Sequence, residues 1–162
     1  MIDLIHFQMH FAFQFNNMRV LVLLLFVIQL INGDRRFFIP SLKANWYKAV
    51  EFCTTLDKRL ASIENQAKSD AIAQYVRESD KFANVSRLWI GASDLAEEGV
   101  FTWLHNEQLL TYTLWNENEP NNNDKKEHCV ELTYHTGKWF WNDMECAYDT
   151  YFICEEIERQ CL

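Results

Sequence analysis

The stretch Glu117-Asn118-Glu119-Pro120-Asn121-Asn122-Asn123-Asp124-Lys125-Lys126-Glu127 offers carboxylates and side-chain amides almost without interruption, and Trp141-Asn142-Asp143 adds one more of each. These are hard oxygen donors of the kind a calcium ion prefers. Pro120 is the one apolar residue of the stretch and removes a backbone donor. The segment therefore reads as a loop, with nothing to bury as a core strand or helix. Taken alone, an Asn- and Glu-rich loop is ordinary solvated surface. Its meaning depends on the elements that hold it.

The chain has 162 residues, enough for one domain and short for two. Its hydrophobic share of 49% includes six tryptophans and twelve phenylalanines, so a developed core is expected and disorder is not. Fifteen basic against twenty-three acidic residues give a formal charge of −8. A phosphate-backbone binder needs a basic stripe, and none is present, which excludes nucleic acid as a partner class. The acidic excess suits a cation site without locating one, and equally suits plain solubility.

Val20 to Ile31 is an apolar run with a single glutamine, preceded by Arg19 and closed by Asn32-Gly33. That is the pattern of a secretory signal peptide over residues 1–33. The run is short of the ~20 residues a spanning helix needs; a signal anchor is the alternative. Met18 could be the true start, leaving 1–17 as an upstream extension. The mature protein is expected to be secreted and not inserted in a membrane. Five cysteines follow the run: Cys53, Cys129, Cys146, Cys154 and Cys161. In a secreted chain they read as two disulfides and one remaining thiol, with spacing alone leaving the pairing open.

The elements that must position the loop come next. Asn45 caps a helix whose stripe is Trp46, Ala49, Val50, Cys53 and Leu56. Asn65 or Ser62 starts a second helix with Ala67, Ala71, Ile72, Tyr75 and Val76 inward. Phe37 to Leu42 reads as an edge strand, and Leu60 to Ile63 as a short strand between the helices. From Leu88 onward the texture changes. Leu88 to Ala92, Val100 to Leu104, Cys129 to Leu132, Lys138 to Trp141 and Tyr151 to Cys154 are short strand-like runs between polar loops. The layout is an α+β domain. Asn84-Val85-Ser86 is a glycosylation sequon on an expected surface loop.

In this order the residues resemble a known family. The helix Asn45 to Cys53, Leu60-Ala61-Ser62-Ile63, Trp89-Ile90-Gly91, Glu119-Pro120-Asn121, Trp141-Asn142-Asp143 and Phe152-Ile153-Cys154 are together similar to the C-type lectin domain. The likeness covers residues 37–156 and leaves 157–162 as a tail. It implies two helices, short antiparallel strands and a long calcium-binding loop region. It also implies the disulfides Cys53–Cys154 and Cys129–Cys146. Cys161 lies outside that pattern, as a free thiol or as the link of a disulfide-bonded homodimer.

The resemblance further implies a calcium site made of Glu119, Asn121, Glu127, Asn142 and Asp143, with a cis Glu119–Pro120 bond aiming the first two. Calcium takes six to eight oxygens, so this set leaves positions open for two adjacent sugar hydroxyls. The same side chains would exchange hydrogen bonds with those hydroxyls. In the family, Glu-Pro-Asn goes with mannose, fucose or N-acetylglucosamine, and Gln-Pro-Asp with galactose. A second calcium site of some relatives would map to Asp94, Glu98, Asn122, Glu127 and His128, where Asn and His replace acids. Trp115 and His128 are near enough in sequence to bias sugar choice, and more readily pack or solvate.

Two function classes stand beside each other. One is a calcium-dependent lectin for glycans on cells or microbes. The alternative is a protein-interaction or galactose-recognising module on the same fold, with calcium mainly structural. An enzyme is not expected: Glu127 and Asp143 resemble a hydrolytic pair, but acids committed to a cation stay ionised and cannot serve as general acids. Exchanging the motif by Glu119→Gln with Asn121→Asp should move preference toward galactose in a competition assay; unchanged preference would assign the choice to other loops.

Overall fold

The computed structural model describes residues 36–157. The signal-peptide run, Met18 and Cys161 lie outside them. Helix α1 (Trp46–Thr55) begins where the Asn45 side chain accepts from the Lys48 N–H at 3.0 Å. It ends where Leu56 N–H returns to Cys53 and Asp57 takes the left-handed φ of +54°. Trp46, Ala49 and Cys53 are buried. Leu56, expected on the same stripe, is 44% exposed, because the helix has already stopped and the side chain leaves the face. Helix α2 (Gln66–Arg77) is capped in the same way by Asn65, at 2.9 Å to Lys68 N–H, and buries Ile72 and Val76.

The strands are β1 (Phe37–Phe38), β2 (Lys58–Leu60), β3 (Arg87–Ser93), β4 (Thr102–Trp103), β5 (Glu127–His135), β6 (Lys138–Glu145), β7 (Tyr151–Phe152) and β8 (Cys154–Glu156). A three-stranded sheet has the order β1-β8-β2, and a larger one the order β4-β3-β5-β6 with β7 beside β3. Pairing is antiparallel except between β3 and β7. Two expected strands are shorter than their apolar runs: Phe37 to Leu42 pairs only over its first two residues, and Ala61 to Ile63 is buried but irregular. The run Tyr151 to Cys154 divides between the sheets. Ile153 donates to Trp89 of the large sheet and accepts from Ala61 beyond the small one, so the chain crosses over at that residue.

Both disulfides implied by the resemblance are present. Cys53–Cys154 joins α1 to β8, and Cys129–Cys146 joins β5 to the segment just after β6. With sequence separations of 101 and 17, the loop-entropy model gives about 4.7 and about 3 kcal/mol. The core between helices and sheets is built on Leu88, Trp89, Ile90, Leu132, Trp141 and Ile63, all essentially without exposure. The indole N–H of Trp46 is satisfied by Ile90 O at 2.9 Å and that of Trp89 by Ala44 O at 3.1 Å. Asn84 is exposed in the turn before β3.

Gly91 lies where β3 passes against the end of β2. Its N–H donates to Ala61 O at 2.8 Å, and a Cβ there would lie 2.9 Å from Leu60 O. Backbone cannot give way as a flexible side chain can. Gly91→Ala should therefore cost about 1–3 kcal/mol in a denaturant titration, and an unchanged midpoint would show that the sheets slide freely.

Candidate metal and ligand site

The long segment between β4 and β5 has little regular structure and is held by aromatic packing on Trp141. Trp103, Tyr112 and Trp115 all meet the Trp141 ring edge-on at 5.7–6.1 Å. Trp115 also packs on Phe101 at 4.9 Å, so this residue, weighed above as a contact for sugar, is committed to packing. Backbone bonds from Trp141 N–H to Leu114 O (2.7 Å) and from Asn116 N–H to Trp141 O (2.8 Å) tie the loop to β6. Asn142 and Asp143 follow directly. They lie within β6, paired with Glu131 and Val130, and not past its end as the short run Lys138 to Trp141 suggests.

The Glu119–Pro120 bond is cis. Beyond it, three successive asparagine N–H groups turn toward carboxylates. Asn121 and Asn122 donate to the two oxygens of Asp143 at 3.0 and 2.7 Å, and Asn123 donates to Glu127 at 3.0 Å. The Asn122 amide oxygen accepts from Glu127 N–H at 3.1 Å. Asn118, Asn122, Asp124 and Lys125 have φ between +42° and +67°. Asn and Asp tolerate that region better than other side chains, which suits Asn118, Asn122 and Asp124 to these positions.

Of the five residues implied as ligands, Asp143 and Glu127 act on the Glu119 carboxyl, and Asp143 acts on that of Glu127. Burial, reinforced by Asp143 and Glu127, pushes the Glu119 carboxyl up to about 7. Glu127 is also raised, by burial first and by Asp143 and Glu131 after it. One Glu119 oxygen, Oε2, is buried without a hydrogen-bond partner. Its carboxylate neighbour Asp143 could satisfy it only by sharing a proton. An orphaned anionic oxygen among acids is what a cation would relieve, so these residues fit a calcium ion. Asn142 turns its Nδ2 to Glu131 Oε1 at 3.0 Å. Glu131 is wholly buried, gripped by both Nε and Nη2 of Arg87. Burial raises its carboxyl, against the pull of Arg87 and Asn142. Glu131 was missed in the sequence; the one available signal is a charge inside the apolar run Cys129 to Leu132.

The family model described as the lectin C-type domain matches residues 42–156. The chain belongs to the C-type lectin domain family. A C-type lectin of Aedes aegypti, mosGCTL-7, is 46% identical over 143 residues, covering 86% of this chain and 95% of that protein. Salivary C-type lectin 2 of Aedes albopictus is 38% identical over 132 residues, covering 79% and 87%. Among solved structures, the carbohydrate-recognition domain of cow CD23, determined in the presence of a GlcNAc2Man3 oligosaccharide, superposes with a TM-score of 0.65 at 29% identity, covering 76% of this chain and 88% of that one. C-type lectin domains are carbohydrate-binding and not enzymatic.

This C-type lectin domain also gathers Asp94, Glu98 and His128, one ligand atom from each lying within 4.8 Å of the others. His128 Nδ1 is 3.1 Å from Asp94 and 3.5 Å from Glu98. Asp94 accepts from Gly99 N–H at 2.8 Å through its other oxygen. Asn122, mapped to the same second site, spends its amide oxygen within its own loop.

A pH test follows for the domain in chelator. The folded state keeps the Glu119 proton that an unfolded carboxyl releases near 4.5, so this group's contribution to stability is lost as pH rises from there through about 7. Glu119→Gln cannot ionise. Its melting temperature minus that of the wild type should grow across that interval and then level; a flat difference would mean that Glu119 is not crowded.

Proposed function

We propose that this chain is a secreted, calcium-dependent lectin for sugars with adjacent equatorial hydroxyls, of the mannose, fucose or N-acetylglucosamine type. The observation that carries the reading is the partnerless, buried Oε2 of Glu119 beside Asp143 and Glu127. Glu119, Asn121, Glu127, Asn142 and Asp143 would hold the ion. Bound calcium supplies a site at which two neighbouring hydroxyls replace water. Glu119 and Glu127 would accept hydrogen bonds from those hydroxyls, and Asn121 and Asn142 would donate to them. The Glu119–Pro120 bond is cis, as the resemblance implies for this motif. The oligosaccharide in the cow CD23 study contains N-acetylglucosamine and mannose, in keeping with the choice.

Secretion is supported by two disulfides, which persist in oxidising compartments, and by the salivary relative. No helix among the described residues is long and apolar enough to cross a membrane. One shallow sugar site binds weakly, and several copies would bind surfaces more tightly. A homodimer linked through Cys161 would supply two. Asn84, exposed in its turn, would accept the N-glycan.

A glycan array read with calcium and again with chelator tests the proposal. Signal should concentrate on mannose-type glycans, disappear in chelator and be displaced by free mannose. Persistence in chelator would remove calcium from the mechanism. Calcium binding with no glycan signal would favour the protein-interaction alternative.

A further inference from the structure

We infer that Glu131, clamped by Arg87, is a positioning residue that orients the Asn142 amide so that its oxygen, and not its nitrogen, faces the ligand site. The inference rests on the reading of Asn142 as a ligand given above. Its basis is the chemistry of three side chains on one face of the large sheet.

Glu131 sits on β5 opposite Trp89 on one side and Asn142 on the other. Arg87, two residues before Trp89 along β3, reaches it diagonally. The guanidinium donates from Nε to both carboxylate oxygens at 3.0 Å each, and from Nη2 to Oε1. Its own position is set by the Tyr148 ring, 4.9 Å from Cζ, and by Met144 Sδ at 3.6 Å. A fork pinned on three sides cannot be exchanged for another donor geometry.

A carboxylate paired with a guanidinium only accepts hydrogen bonds. The Asn142 atom 3.0 Å from Glu131 Oε1 must therefore be nitrogen. An amide has one oxygen and one NH2, so placing the NH2 on Glu131 leaves the oxygen directed elsewhere. That oxygen is the atom a cation needs, since an amide nitrogen carries hydrogens and does not ligate. The NH2 keeps a second hydrogen for a sugar hydroxyl. Glu131 thus touches neither ion nor sugar and still decides which end of Asn142 they meet. Buried outer groups of this kind commonly orient metal ligands.

Glu131→Gln and Glu131→Met separate the acceptor from the charge, because both remove the charge at similar volume and only Gln keeps an oxygen. Oε1 takes both the Arg87 fork and the Asn142 NH2, so a Gln oxygen placed there would still hold the Asn142 amide. Met offers no acceptor, and the Asn142 amide is then free to turn its NH2 to the ligand site. Calcium affinity measured by calorimetry on the full chain should stay near the wild-type value in Glu131→Gln and fall about 10–100-fold in Glu131→Met, with the fold retained by circular dichroism. Adding Asn142→Asp supplies an oxygen in either orientation. This change should gain at least about tenfold more calcium affinity in the Glu131→Met background than in the wild type. Equal gains in both backgrounds, or wild-type affinity in Glu131→Met, would overturn the inference.

A reading without calcium keeps the two proposals apart. In chelator, the side-chain NH2 signals of wild-type Asn142 in a proton–nitrogen correlation spectrum should include one proton shifted downfield and slow to exchange. Two freely exchanging protons would overturn the orientation whatever the metal does. A wild type that binds no calcium but shows the held proton would sink the lectin site and leave the Glu131–Asn142 arrangement standing.

Discussion

Repulsion among Glu119, Glu127 and Asp143 is the constraint around which the loop end of the large sheet is arranged. Carboxylates brought together out of water favour protonation over charge, and Glu119 shows this most strongly. The chain answers with backbone rather than with lysines. Three asparagine N–H groups in succession donate to Asp143 and Glu127. Such a row of amides in left-handed and turn conformations is an anion-binding concavity. It neutralises two of the acids in part and leaves the third with an unpartnered oxygen.

That arrangement needs two segments far apart in sequence to be held in register, and the loop has almost no core of its own. Trp141 supplies the contact. Its ring gathers aromatics from β4 and from the loop, and its backbone bonds to Leu114 and Asn116 make it a local strand partner. The two residues after it are Asn142 and Asp143, so packing on one side of β6 fixes the polar groups on the next. The Cys129–Cys146 bridge closes the same end of the β5–β6 pair. On the same strand pair, the half-buried Arg87 holds the wholly buried carboxylate of Glu131, a charge whose removal from water is costly. That carboxylate accepts from the Asn142 amide and holds its nitrogen end.

Much of the fold was readable in the residues. Asn45 and Asn65 are the caps their side chains announce, because capping is a local bond within four residues. The two helices and the run of short strands follow from apolar spacing. Failures came where a neighbour in space took over. Leu56 continues the apolar spacing of α1 but falls after the turn that ends it. Tyr151 to Cys154 is one apolar run that serves two sheets, because Ile153 must satisfy Trp89 on one side and Ala61 on the other. Glu131 is charged and yet wholly buried, which only Arg87 and Asn142 explain.

The composition of the 117–127 stretch by itself determined the donor chemistry: oxygens, mostly anionic, on a segment that cannot be buried. Together with the motifs at Trp89, Trp141 and the cysteines, it also determined the family. Which donors converge was decided only by tertiary structure. Glu119 and Asp143 are brought together by a cis bond, an aromatic cluster and a strand pair, and none of these is a property of the residues between them. The crowding that raises Glu119 exists only once those contacts form. So does the orientation of Asn142, since an amide has two chemically different ends and its own sequence cannot choose between them.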